Sequence, residues 1–121
     1  MNIAKKLCMA AAFSLIGAAP ALAECAYPKK PVDPPSGAKA TQEEMVAAMK
    51  ATRQFDADVK TYQSCLDTET ETMLNDLGSK ATAEDIKRIK DKQSLKANTA
   101  YEEAAKVAEA FNVQLRAFKA K

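Results

Sequence analysis

The chain reads as an all-α protein: an antiparallel two-helix hairpin, coiled-coil-like, with an extended Pro-rich N-terminal arm pinned to it by a disulfide. Three observations lead there. Pro28, Pro31, Pro34 and Pro35 crowd into residues 24–40, and no proline follows Thr41. Two long apolar repeats of period near 3.5 flank a short glycine-containing turn. Two cysteines, Cys25 and Cys65, remain once an export-type leader is set aside.

Residues 1–23 have the form of a secretory signal peptide. Lys5 and Lys6 give a positive start, Leu7 to Ala19 form an apolar run, and Ala21-Leu22-Ala23 is a small-x-small cleavage pattern. The run is too short to span a bilayer, which needs about 20 apolar residues. A lipoprotein-type anchor on Cys25 wants a small residue before it, and Glu24 stands there instead. The expected location is therefore periplasmic or secreted, with a mature chain beginning at Glu24.

Residues 24–40 form the arm. Proline fixes φ and lacks an N–H, so this stretch favours extended, polyproline-like backbone over helix. Helix one is expected over 41–77. Thr41 with Glu44 makes a capping box, and Met45, Ala48, Thr52, Phe55, Val59, Tyr62, Leu66, Met73 and Leu77 supply its apolar stripe. Gly78 ends it, and residues 78–81 make the turn. Helix two is expected over 82–119, capped by Thr82 with Asp85, with Ile86, Ile89, Gln93, Ala97, Ala100, Ala104, Val107, Phe111, Leu115 and Phe118 on its stripe. Thr68 to Thr72 alternates polar and β-branched residues like a strand. Since no partner strand is in view, it is read as a weak spot in helix one. The register that pairs Met73 with Ile86 also pairs Tyr62 with Ala97, Phe55 with Ala104 and Ala48 with Phe111, setting large side chains against small ones at most aromatic layers, as interdigitated packing requires.

Charge patterning supports the antiparallel arrangement. With Lys5 and Lys6 set aside, acidic and basic residues balance at 16 each. Residues 41–77 carry net −5 and residues 78–121 net +4. Asp67, Glu69, Glu71 and Asp76 close helix one, and Lys87, Arg88, Lys90 and Lys92 open helix two. Both placements oppose the helix macrodipole, so cross-helix attraction is expected to offset the cost. The balance argues against nucleic acid, whose binders carry a basic excess.

Cys65 lies about 36 Å along helix one from Thr41 at 1.5 Å per residue. An extended arm reaches roughly 50 Å at about 3.1 Å per residue, so it can turn at Ser36-Gly37 and return to Cys65. That reach favours an intramolecular bond. An intermolecular bond, or free or metal-binding thiols, are the alternatives. An arm laid this way brings Tyr27 to Tyr62.

Cys25-x-x-Pro28, Pro31, Gly37, Thr41 to Met45, Tyr62-x-x-Cys65-Leu66 and Phe111-Asn112 together resemble a group of small secreted helical proteins of proteobacteria with one cysteine pair. The resemblance implies an exported helical protein. It supplies no activity and no catalytic or binding residue to carry over.

The available chemistry is narrow. The chain has no histidine, which removes the commonest general base and transition-metal ligand. No C-x-x-C and no Gly-rich phosphate loop occurs. Met45 and Met49 have the softness to hold Cu(I) but suit core filling better. Glu43-Glu44, Glu69/Glu71 and Glu102-Glu103 read as solvated faces. No enzyme, cofactor, metal site or small-molecule substrate is expected, and contact with an anionic membrane surface through Lys87 to Lys92 is a weaker option.

The functional hint is excess apolar width near the open end of the hairpin. Met45, Met49, Val107, Phe111 and Leu115 are the candidate interaction surface. One seam cannot bury so wide an apolar face, so the arm, a second copy or a client must cover it. The expected function is a non-catalytic binding or structural module that self-associates or docks on an envelope partner. The alternative is a chaperone-like holdase for exported proteins.

Overall fold

A computed structural model describes residues 24–121, so the signal-peptide reading of 1–23 lies outside the described residues. Helix α1 spans Gln42–Leu77 and helix α2 spans Ala83–Lys119, with a 3-10 turn at Gly78–Lys80 between them. Both capping boxes form. Thr41 accepts from the Glu44 N–H while Glu44 accepts from the Thr41 N–H, and Thr82 and Asp85 repeat the exchange. Each satisfies N–H groups that a helix start leaves without partners. Asp85 is held below the usual carboxylate range chiefly by its hydrogen bonds from Thr82.

Gly78 stops α1. It takes φ +55° and ψ −141°, a backbone conformation open almost only to glycine. The strand-like run of threonines stays helical because its hydroxyls find partners within the helix. Thr68, Thr70 and Thr72 donate to the carbonyls of Ser64, Leu66 and Thr68. This back-bonding is the usual accommodation of threonine inside a helix.

The helices pack antiparallel in the expected register. Gln63 donates to the Ala97 carbonyl across the seam at 3.4 Å. The core of this seam is Phe55, Val59, Tyr62 and Leu66 of α1 against Ala100, Ala104 and Val107 of α2. Phe55, Val59 and Leu66 are the largest fully buried side chains. The facing alanines let the backbones approach closely.

The arm lies along the hairpin, parallel to α2. Cys25 is disulfide-bonded to Cys65, with Cα atoms 5.9 Å apart. Tyr27 meets Tyr62 edge-on at 5.3 Å between ring centroids, a favoured aromatic geometry. At the other end the arm turns at Ser36, whose carbonyl accepts from Lys39 and Ala40. Gly37 presses directly on α2. Its N–H donates to Gln114 Oε1 at 2.9 Å, and a Cβ built there would lie 1.8 Å from the Gln114 carbonyl oxygen. Only a glycine permits that approach.

The arm divides the rods into two zones. Beside it, the hairpin is three layers deep and holds every buried apolar residue. Beyond the disulfide, toward the turn, only two helices face each other. There Met73, Leu74, Leu77, Ile86 and Ile89 are half-buried. Gln93 sits at the border, buried at 5 % exposure. It donates to Glu69 at 2.8 Å, and its own carbonyl oxygen has no partner.

One expectation about the charges fails. No cross-helix ion pair forms between the acidic end of α1 and the basic start of α2 among the described residues. Lys87 pairs with Asp91 and Arg88 with Asp85, both on their own helix. Partners three or four residues along one helix lie within about 6 Å and require no reach across a seam. These pairs are mostly exposed and contribute little.

Candidate functional site

Two helices side by side leave a groove on each side of their seam. In the first groove, Pro31 to Pro34 run over Ala48 and Thr52 of α1 and over Lys106, Val107 and Ala110 of α2, leaving a space of about 60 Å³ beneath, while a cleft of about 460 Å³ stays open between Val32 to Pro35 and Ala47, Ala48 and Ala51 of α1. Lys96 of α2 lies 3.6 Å from Glu24, and Tyr27 donates to Glu103 at 2.7 Å. The arm therefore fastens to both helices.

This changes the standing of the candidate surface. Met45, Val107 and Phe111 are buried, at 4 %, 7 % and 7 % exposure. Met45 and Phe111 pack with Ala40 at the base of the arm. They are core, not an interaction surface. The apolar width seen in the sequence is real, but the arm and its turn absorb part of it. Lys121 completes this end, donating to the Ala40 carbonyl and standing 4.3 Å over the Phe118 ring.

Met49 and Leu115 have a different fate. They are half-buried and open on the second groove, away from the arm. At about 100° per residue, Met49 and Arg53 point to the side of α1 opposite Ala47 and Ala51, which face the arm. Met49, Thr52, Arg53, Ala108, Asn112 and Leu115 line a cleft of about 310 Å³ there, floored by Phe111. Helical spacing continues the stripe of α2 from Leu115 through Ala108 and Tyr101 to Ala97 and Lys90. Tyr101 is 66 % exposed. On α1 the matching stripe runs from Met49 through Asp56, Gln63 and Asp67 to Leu74. Sequence reasoning missed Tyr101. Its signal was its place seven residues before Ala108, on the same face.

The chemistry of the remaining groups is modest. Among the described residues no group of three or more acidic, cysteine or histidine side chains is placed to hold a metal ion. No helix among the described residues is long and apolar enough to cross a membrane. Among the described residues the one strongly shifted acid is Tyr27. Partial burial first, then the hydrogen bond to Glu103 and its charge, push the hydroxyl up to about 12. The folded form thus holds this proton more tightly than the unfolded chain, where tyrosine releases it near pH 10. The contribution is fully present below about pH 10 and is lost as pH rises through about 12. Alkaline denaturation, followed by circular dichroism, is expected to begin within that window. Tyr27→Phe is expected to remove much of this pH dependence. An unchanged alkaline limb in that variant counts against the Tyr27–Glu103 clamp.

No protein-family model, no curated protein and no solved structure matches this chain.

Proposed function

We propose that the protein is an exported, non-catalytic helical module that docks a protein through the groove its own arm leaves uncovered. One observation carries the reading: the arm occupies only one of the two grooves that flank the seam. The second keeps Met49, Ala108 and Leu115 only half-buried and leaves Tyr101 exposed. Aromatic and methionine side chains in a shallow groove are typical of protein contacts. Export rests on the leader pattern of residues 1–23. A disulfide within so small a domain accords with an oxidising compartment such as the periplasm or the outside of the cell. The resemblance to small secreted proteobacterial proteins points the same way.

A photo-crosslinking residue at Leu115, introduced into the full chain in its native compartment, tests the reading. The expected product is one of discrete mass. Leu95 is 68 % exposed and lies on the outer face of α2, so it serves as the control. Equal yields from both positions, or none from Leu115, would count against a docking groove. A broad smear of products, specific to Leu115, would instead identify a holdase working through Met49 and Leu115.

A further inference from the structure

The same open groove has a charge pattern that selects its occupant. Asp67 and Glu71 are exposed on the α1 side of the seam, and Lys90 is exposed on the α2 side. None of these three forms an ion pair among the described residues. Lys87, beside Lys90, is bonded to Asp91 but remains exposed. Acid and base therefore stand on opposite sides of the seam and form no ion pair with each other among the described residues.

We propose that the occupant is a second copy of this chain, packed groove to groove about a two-fold axis running along the rods. The inference rests on the docking reading above and names its partner. Such an axis sets α1 of each copy against α2 of the other, antiparallel and at the same height. Asp67 and Glu71 of one copy then face Lys87 and Lys90 of its partner, and the contact repeats by symmetry. The end-over-end alternative opposes α1 to α1 and α2 to α2. Residues 41–77 carry net −5 and residues 78–121 net +4, so that arrangement sets like charge against like. Leu74, Ala97, Tyr101, Ala108 and Leu115 supply the apolar centre. The tip, two layers deep within one copy, becomes four helices deep in the pair. Rods of about 54 Å with a groove about 10 Å wide offer roughly 500 Å² per copy. That total lies at the lower bound for a specific interface, so the dimer is a weak, reversible one.

Sedimentation of the purified, oxidised protein between about 1 and 100 µM tests it, across the range expected for a small interface. The expected result is a concentration-dependent shift from monomer to dimer, weakened by salt. Two variants sharpen the test. Lys87→Glu with Lys90→Glu makes both rims acidic, and Asp67→Lys with Glu71→Lys makes both basic. Each alone is expected to dimerise about tenfold or more weakly, as like charges then oppose each other. Mixed one to one, the two variants are expected to recover the dimer. Helical circular dichroism of each variant separates a folding failure from an association failure. A wild type that stays monomeric throughout overturns the second-copy inference. The docking reading then survives if Leu115 still gives a discrete crosslink to another protein, and falls with it if Leu115 gives none. Recovery failing in a mixture of two folded variants also overturns the two-fold arrangement.

Discussion

Changing Cys25 and Cys65 together to serine is expected to lower unfolding free energy by about 3–4 kcal/mol, since the bond closes a ring of about 40 residues in the unfolded chain. Domains of this size hold only about 5–15 kcal/mol in all, so the loss takes a large share. The effect has a local component as well. The arm is tied down at Cys25 and at Gly37, and between these it crosses both helices on prolines that donate no backbone hydrogen bonds. Releasing one end uncovers Ala48, Val107 and Ala110. Urea denaturation measures the first component. Limited trypsin cleavage after Lys29 reports the second, since the Lys30–Pro31 bond resists trypsin, and that site is expected to become far more sensitive in the variant. A loss under about 1 kcal/mol, against the usual range for a loop this long, with the arm still protected, would mean that its own contacts hold it.

Phe55→Ala is expected to cost about 3–5 kcal/mol, the range for removing a buried aromatic from a packed core. Phe55 is 2 % exposed, and the arm's layer limits how far the site can collapse around the void. Leu77→Ala makes the contrast. Leu77 is half-buried in the two-layer tip, where water already reaches the seam, so its truncation is expected to cost less than half as much. Denaturant melts of the two variants compare them directly. Equal losses would contradict the division of the rods into a thick and a thin zone.

Much of this architecture was legible in the residue order because its determinants are local. The two capping boxes, Gly78 and the confinement of proline to residues 24–40 each act within a few positions. The disulfide was accessible to simple arithmetic of reach, and the contact between Tyr27 and Tyr62 followed from it. What was not legible depends on side and distance. The sequence shows that the hairpin is too apolar for one seam, but not which groove the arm enters. Hence Met45, Val107 and Phe111 read as surface and are core, while Met49 and Leu115 remain open. The cross-helix charge pairing failed for a related reason. Complementary rows fix a direction, but Lys87 and Arg88 take carboxylates three or four residues away on their own helix. Gly37 read only as a turn residue. Its contact with Gln114 joins positions 77 apart in the chain, which no local pattern encodes.

The covalent ring from Cys25 to Cys65 carries a consequence for how the chain assembles. Even when denatured, the oxidised molecule is shaped like a tadpole, with the arm and most of α1 in its head and α2 in its tail. The bulky side chains Phe55, Val59 and Tyr62 belong to the head, while the tail brings Ala100 and Ala104. Renaturation is then reduced to laying α2 on a platform most of whose parts are already tethered together. Much of the entropy of gathering them has been removed beforehand.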